Sequence, residues 1–377
     1  MKGLSLFANI GIAEATLKEI GLSVAVANEV SENRVKIYRH IYPETEMIEG
    51  DIRNDHIFKK IIRKSNEYKV DFIIATPPCQ GMSTVGKQNP KDERNNLIFY
   101  AIKAIKKIKP KYVLIENVPQ QLKTNIFVNG VDKTIPEYLQ HSLVNQYDIQ
   151  GQVINCADYG SPQIRRRSIF LLSRKDQKKK LAFLNEKEYS DHVPLSLSIG
   201  KLPSLDPKIQ EFDNKQQIKY FPNFKNKEKK GAQISHWHRP PTHKFRHVEI
   251  MKHTPEGKSA LTNDHYYPKK PDGTKIKGYK NTYKRQSWDR PSYTITSYNG
   301  AICSQDNVHP GRQYNEGGKT VFSDARVFSI YELMILMSLP VNWNIPDWAG
   351  ESHLRHAFGE GLPPIVINKI FNKLLSI

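Results

Sequence analysis

Cysteine is scarce in this chain of 377 residues. The three cysteines, Cys79, Cys156 and Cys303, lie far apart and are odd in number. This excludes a disulfide framework and a cysteine-based zinc module, and it suits a reducing compartment. Long apolar runs are missing as well, because no stretch approaches the roughly 18 residues that a membrane helix needs. Residues 1–15 carry one basic side chain, which is a poor secretory signal. We therefore expect a cytoplasmic protein without membrane contact.

Acidic residues are too few to balance the basic ones. Against 57 Lys and Arg stand 38 Asp and Glu, a net charge of +19. Residues 201–290 hold 21 Lys or Arg against 9 Asp or Glu, so this segment alone carries +12. Aromatic residues are interleaved with these basic ones, as nucleic-acid binding requires, although a solvated lysine-rich surface remains the alternative. His236 and His238 lack the spacing of a metal site, so we expect no metal.

Short apolar runs alternate with amphipathic segments in the first half of the chain. Strands separated by helices predict an α/β fold with a largely parallel sheet covered on both faces. Ligands bind such sheets beyond the carboxyl ends of the strands. The predicted strands are 3–7, 22–27, 71–75, 112–116, 152–155 and 169–173. The predicted helices are 12–20, 97–108, 136–144, 330–339 and 365–375. A further helix is predicted to begin after an N-cap at Asp55 and to carry Phe58, Ile61 and Ile62 on one face.

Cys79 lies in a stiff polar loop at the end of a predicted strand. It follows two prolines in the run Thr-Pro-Pro-Cys-Gln-Gly-Met-Ser at 76–83, directly after strand 71–75. A lone cysteine is more commonly a buried structural residue, but such a residue normally lies within an apolar run. The loop position favours a nucleophile, provided that its surroundings lower the pKa of the thiol.

Two further polar motifs lie at predicted strand ends. Glu116, at the end of strand 112–116, is expected to be partly desolvated, which raises the pKa of a carboxyl group and suits proton donation. An ordinary loop carboxylate is the alternative. In the run Gln-Ile-Arg-Arg-Arg at 163–167, alternation points Arg165 and Arg167 to one side and Arg166 to the other. The alternative here is a charged cluster at the edge of the sheet.

Taken together, Pro-Cys-Gln, Glu-Asn-Val and Gln-x-Arg-x-Arg, in this order, resemble the cytosine-C5 DNA methyltransferase family. The resemblance covers nearly the whole chain, from Phe-Ala-Asn-Ile-Gly at 7–11 to Gly-Glu-Gly-Leu-Pro-Pro at 359–364. It implies a Rossmann-like mixed sheet with mostly parallel strands and a smaller, irregular target-recognition domain. The implied division is 1–190 for the catalytic domain, 191–325 for target recognition and 326–377 for a segment that packs back on the catalytic domain. The divergent interval, 191–286, coincides with the basic segment.

The resemblance also implies the chemistry. The Cys79 thiolate would add to C6 of a flipped-out cytosine, Glu116 would protonate or hydrogen-bond N3, and C5 would take a methyl group from S-adenosylmethionine. Arg165 and Arg167 would position the base and the catalytic loop. The implied cofactor residues are Phe7, Ile10 and Gly11 around the methionine part, Glu29 at the ribose, Asp51 and Ile52 at the adenine, Pro78 and Leu97 completing the pocket, and Glu360 and Leu362 in the closing motif.

Four positions depart from the family pattern. Asn9 and Ile12 replace glycines, Val30 replaces a common aromatic residue, and Glu360 replaces an asparagine. Asn9 is tolerable if its backbone is left-handed, whereas Glu360 could either repel the carboxylate of the cofactor or accept from its amino group. The expected partner is double-stranded DNA, bound by a monomer, in a restriction–modification system whose endonuclease acts separately. The alternatives are an RNA cytosine-C5 methyltransferase and a non-catalytic DNA-binding subunit.

Overall fold

The computed structural model describes residues 1–78, 97–128 and 131–376. Seven strands form one sheet in the order β3-β2-β1-β4-β5-β9-β8, and β6 pairs with β7 in a separate hairpin. In the sheet, β9 alone runs against its neighbours. The strands are β1 (Lys2–Leu6), β2 (Ser23–Glu29), β3 (Glu46–Glu49), β4 (Phe72–Ala75), β5 (Tyr112–Asn117), β6 (Asn125–Val128), β7 (Val131–Thr134), β8 (Tyr147–Asn155) and β9 (Arg166–Arg174).

Helices follow most of the strands, and the second half adds helices and two small sheets. The helices are α1 (Glu32–Ile41), α2 (Asp55–Glu67), α3 (Leu97–Ile108), α4 (Ile135–Leu143), α5 (Leu195–Ser198), α6 (Asn214–Tyr220), α7 (Phe224–Ile234), α8 (Phe245–Lys252), α9 (Ile330–Leu336), α10 (Glu351–Glu360) and α11 (Pro364–Ser376). The small sheets pair β10 (Lys208–Ile209) with β11 (Thr242–His243), and β12 (Gln313–Glu316) with β13 (Lys319–Phe322). No helix among the described residues is long and apolar enough to cross a membrane.

Two apolar clusters cover the two faces of the large sheet. Alternate residues of β4 divide between them, since Ile73 packs with α2, α3 and α4 while Ile74 packs with α1 and α11. Both faces are therefore buried, which confirms the predicted α/β class with a largely parallel sheet. A third cluster joins Ile10 and Ile12 to α9 and α10, and a fourth lies wholly within residues 209–327. The domain boundaries given above stay a prediction.

Several local predictions were wrong. Segment 12–20 forms turns with one 3-10 helix at Leu17–Ile20, because its apolar residues are buried by contacts with α9, α10 and α11 instead of along one helix face. The N-cap of α2 is Asn54, not Asp55, since the Asn54 side chain accepts from the N–H groups of His56 and Ile57. The sequence interpretation missed α1, β3, α6, α7, α8 and α10; in α7 only Phe224 and Gly231 are buried, so its apolar pattern is weak.

The reversed direction of β9 decides where the site forms. Its first residues lie beside the last residues of β5, with Ser168 opposite Asn117 and Ile169 opposite Glu116. The start of β9 therefore reaches the same edge of the sheet as the carboxyl ends of β1, β2, β4 and β5. The Gln-x-Arg-x-Arg run and the Glu-Asn-Val run, almost fifty residues apart in the chain, meet at that edge.

Candidate active site

A cleft of about 1250 Å³ opens at the carboxyl edge of the sheet. Its floor is formed by the loops that follow β1, β2, β3, β4 and β5, and one wall is formed by residues 294–298 and the end of α10. Ten of the predicted site residues line it: Phe7, Glu29, Asp51, Ile52, Pro78, Leu97, Glu116, Arg167, Glu360 and Leu362. Cys79 lies outside the described residues, immediately after Pro78.

Three predicted site residues do not line the cleft. Ile10 is fully buried in the cluster with α9 and α10. Gly11 has a φ of +82°, its carbonyl accepts from the Tyr42 hydroxyl at 2.7 Å, and a Cβ there would lie 2.1 Å from the Tyr42 ring. A glycine is needed at position 11 because the backbone turns there with a positive φ and the Tyr42 ring approaches closely. The third, Arg165, is fully buried behind the cleft wall.

A buried ion pair lies at the junction of β5 and β9. The Nε of Arg167 is 2.7 Å from the Oε1 of Glu116, and the two side chains are only 10% and 6% exposed. Burial raises the pKa of the Glu116 carboxyl above its usual value, although the charges of Arg167 and Arg165 oppose the shift. Glu116 thus offers the cleft a desolvated carboxyl that can hold or share a proton.

The loop that leads to Cys79 is anchored beside this pair. Asn117, the last residue of β5, donates from Nδ2 to the carbonyl of Pro77 at 2.9 Å. The hydroxyl of Thr76 donates to the carbonyl of Phe7 at 3.1 Å. These bonds hold 76–78 between the ends of β1 and β5, so the chain enters the Cys79 segment next to Glu116.

Arg165 joins three segments that build the cleft wall. Its Nη1 donates to the Ile295 carbonyl and its Nη2 to the Gly359 carbonyl, each at 2.8 Å. Gln163, two residues earlier, accepts from the Ile295 N–H at 3.0 Å and donates to the Leu336 carbonyl. Arg165 and Arg167 are both buried and Arg166 is exposed, so the predicted alternation is confirmed. Its hydrogen bonds to Ile295 and Gly359 are with segments that form the walls of the cleft.

The loop after β1 is fastened to β2 and to α10. Asn9 has a φ of +53°, so its backbone is left-handed and the condition for replacing a glycine at this position is met. Its N–H donates to Glu29 at 2.9 Å, and its Nδ2 donates to the Ala357 carbonyl of α10 at 3.1 Å. The asparagine therefore supplies a contact between the loop and α10 that a glycine could not make. Glu29, only 5% exposed, also accepts from the N–H groups of the next two residues.

A second departure from the family pattern is explained by packing. Ile12 is buried, and a Cβ added at Gly361 would lie 2.7 Å from the Ile12 Cδ1 atom. Gly361 therefore leaves the space that the Ile12 side chain occupies. Val30, by contrast, lines the cleft with a side chain that is 63% exposed.

The interpretation of the sequence missed the basic residues of the cleft outside the arginine run. Arg34 on α1 contacts Glu360 at 2.6 Å and the Nδ1 of His356 at 3.0 Å. Arg53 contacts the Asp51 carboxylate at 2.7 Å. Little in the sequence indicated a role for Arg34, because helix α1 was not predicted. Glu360, the partner of Arg34, lies 326 positions away in the chain.

The two cysteines that the structure describes are outside the cleft. Cys156 is fully buried, and this burial raises the pKa of its thiol to about 12. Cys303 is exposed and is absent from the cleft lining. A thiol with so high a pKa is a poor nucleophile, so Cys156 is not a competitor of Cys79 for that role.

Comparisons with known proteins agree with this geometry. The family described as C-5 cytosine-specific DNA methylase matches residues 1–376. The Type II methyltransferase M1.HgaI of Avibacterium volantium is 40% identical over 99% of this chain and 98% of its own length, and M.DdeI of Desulfomicrobium norvegicum is 24% identical over 99% and 88%.

Solved structures share the fold. A protein described as a DNA modification methyltransferase encoded within an E. coli prophage superposes with a TM-score of 0.67 at 18% identity, covering 100% of this chain and 99% of that one. A DNMT2 variant from Spodoptera frugiperda reaches 0.60 at 17% identity, with the same coverage. The match over the full length, together with the identity to a Type II methyltransferase, shows that the chain belongs to the C-5 cytosine-specific DNA methylase family.

Proposed function

We propose that the chain methylates C5 of one cytosine within a specific DNA sequence, using Cys79 as the nucleophile and S-adenosylmethionine as the methyl donor. The relatives are named Type II methyltransferases, which supports a role in restriction–modification with a separate endonuclease. One observation carries the proposal. The buried Glu116–Arg167 pair lies in the cleft beside the anchored loop that leads to Cys79.

Cys79 and Glu116 are the two residues that act on the target base. C5 of cytosine is a weak nucleophile. Addition of the Cys79 thiolate to C6, with a proton or hydrogen bond from Glu116 at N3, turns the base into an enamine whose C5 can attack a methyl group. Loss of the C5 proton and of the thiolate then releases the methylated base. The target base must leave the stack, which costs on the order of a few kcal/mol.

Arg167 sets the state of Glu116. A carboxyl buried without a cation would stay protonated far above its usual pKa. The Arg167 guanidinium, at 2.7 Å, makes the ionised form accessible and holds the Oε1 atom in place. Glu116 can then donate a proton while the adduct forms and recover it when the adduct breaks down.

The residues of the cleft fit S-adenosylmethionine, the proposed methyl donor. When bound, it would supply the methyl group. At its edge the end of β2 presents the Glu29 carboxylate, and the end of β3 leads to Asp51 and Ile52. Carboxylates at the ends of neighbouring parallel strands are the usual acceptors for the hydroxyls of a nucleoside. The Pro78 and Leu97 side chains add apolar surface to the cleft.

Recognition of DNA is assigned to the basic segment. Residues 201–290 carry +12 of the net charge, and within them lysines lie over aromatic rings, as Lys269 and Lys275 do over Tyr267. At the cleft itself, Arg166 and Tyr298 are exposed on the lining and available to a duplex. The predicted domain limits, 191–325, and the monomeric state belong to this proposal.

Bisulfite sequencing of DNA from cells that express the chain tests the proposal. We expect one cytosine within one short sequence to be protected. The protection should vanish in Cys79→Ser and persist in Cys156→Ser, the matched cysteine control whose thiol lies outside the cleft. Protection that persists in Cys79→Ser would contradict the assignment of the nucleophile, and methylated cytosine found only in RNA would contradict the substrate.

A further inference from the structure

One ion pair in the cleft joins Glu360, whose effect on the cofactor the sequence leaves open, to an arginine that the sequence interpretation missed. The Nη2 of Arg34, on α1, is 2.6 Å from the Oε2 of Glu360, at the end of α10, and each side chain is 24% exposed. Nη2 also lies 3.0 Å from the Nδ1 of His356. The same His356 nitrogen lies 3.5 Å from the Oε1 of Glu360, whereas the Nε and Nη1 donors of Arg34 reach no protein acceptor among the described residues.

Stability does not account for this pair. A partly exposed ion pair contributes little to folding, because water screens it and two long side chains are immobilised. Both members nevertheless line the cleft. Glu360 alone would place an uncompensated negative charge there, and Arg34 cancels it while keeping further donors free to bind a ligand. The pair thus presents a positive and a negative group side by side.

The pair lies near the loop after β1. Asn9 of that loop donates to the Ala357 carbonyl, three residues before Glu360 on the same helix. Ile12 of the same loop packs against Gly361, the residue after Glu360. The other arginines of the cleft have different neighbours, since Arg53 pairs with Asp51 and Arg167 with Glu116. Arg34 lines the cleft and contacts Glu360 and His356, so it lies where the β1 loop meets α10.

We propose that the Arg34–Glu360 ion pair binds the zwitterionic amino-acid end of the methyl donor. Arg34 donates to the α-carboxylate, and Glu360 accepts from the α-ammonium group. An amino acid presents one negative and one positive group side by side, which is the complement of the pair, and a guanidinium is well suited to a carboxylate. The inference rests on the proposed function, because it assumes that S-adenosylmethionine binds in this cleft.

Two ligands separate this contact from the rest of the cleft. S-adenosylhomocysteine carries the amino-acid end, whereas 5′-methylthioadenosine has the same nucleoside and lacks it. We expect Arg34→Ala to weaken binding of S-adenosylhomocysteine by about ten- to hundredfold in calorimetric titrations of the full chain. Its affinity for 5′-methylthioadenosine should change by less than about threefold. Arg53→Ala, the matched control in the same cleft, should change both affinities by the same factor.

The double variant gives a second, independent signature. Arg34→Ala leaves the Glu360 carboxylate unpaired beside the carboxylate of the ligand, whereas Glu360→Gln leaves Arg34 able to bind that carboxylate. Glu360→Gln should therefore cost less than about tenfold in affinity for S-adenosylhomocysteine. Arg34→Ala with Glu360→Gln should bind this ligand more tightly than Arg34→Ala alone, because the repelling charge is gone. Arg34→Lys, which keeps the charge, should retain part of the affinity.

Two results would overturn the inference. One is an equal loss of affinity for both ligands in Arg34→Ala and Arg34→Lys, which would mean that Arg34 shapes the cleft without touching the amino-acid end. The other is a double variant that binds S-adenosylhomocysteine no better than Arg34→Ala. Failure of the proposed function is distinguishable, because the unmodified chain would then bind neither ligand.

Discussion

Replacement of Arg165 by methionine separates two roles for this residue. The family resemblance assigns Arg165 to the base and the catalytic loop, whereas the structure shows it donating to the Ile295 and Gly359 carbonyls at 2.8 Å each. Hydrogen bonds that involve a charged group contribute about 1.5–3 kcal/mol each, so their loss should cost about 3–6 kcal/mol of unfolding free energy. Methionine fills most of the vacated volume, so a cavity adds little.

Urea titration without ligands measures this cost, and the neighbouring residue provides the control. Arg166 is exposed on the cleft lining, so Arg166→Met should change the unfolding free energy by less than about 0.5 kcal/mol. Arg165→Met should lose methylation because the cleft wall is loosened, and its affinity for S-adenosylhomocysteine should fall as well. An Arg165→Met protein as stable as the unmodified chain, but inactive, would refute this reasoning and place Arg165 directly at the base.

Three further predictions test other parts of the structure. Burial alone would raise the pKa of Glu332, but its ion pair with the buried Arg326 lowers that pKa from 4.5 to about 2. The ion pair stabilises the fold fully above the pKa that Glu332 has in the unfolded chain, and this stabilisation is lost as the pH falls through the pKa of Glu332 in the folded chain. Glu332→Gln should therefore lower the free energy of unfolding by about 3 kcal/mol at neutral pH. Near pH 3.5 the loss measured in urea titrations should be smaller by about 1 kcal/mol. Gly361→Ala should weaken binding of S-adenosylhomocysteine, because the Cβ of the new alanine would lie 2.7 Å from the Ile12 side chain. Adding Ile12→Ala to this variant should restore part of the affinity, as measured by calorimetry. Exchange of residues 201–290 for those of a family member with another target should transfer that target in bisulfite sequencing. A chimera that keeps the original target would show that recognition lies elsewhere.

The positions of Glu116 and Arg167 could be predicted from the sequence, since both motifs lie at strand ends. Parallel strands place their carboxyl ends at one edge, and this rule brought Glu29, Asp51 and Glu116 together as expected. The reversal of β9 was not predicted from its residues, yet it is what lets Arg167 reach Glu116.

Other features depend on contacts that no local pattern carries. Arg34 and Glu360 are 326 residues apart, and α1 buries too few apolar residues to be conspicuous. Arg165 follows the predicted alternation, but the sequence could not show that its donors would be taken by the carbonyls of Ile295 and Gly359. Helices α6, α7 and α8 were missed for a related reason, because helices with few buried apolar positions lack the periodicity from which helices are predicted.

Covalent trapping on DNA tests the central claim most directly. Fluorine at C5 cannot leave as a proton does, so a duplex with 5-fluorocytosine at the target should hold the chain in a stable adduct when S-adenosylmethionine is present. Glu116→Gln should slow trapping by about 10²–10⁴-fold, as expected for loss of a general acid. The account predicts that the adduct forms on Cys79, vanishes in Cys79→Ser and persists in Cys156→Ser and Cys303→Ser. An adduct that survives Cys79→Ser, with the crosslink mapped to Cys156 or Cys303, would contradict it.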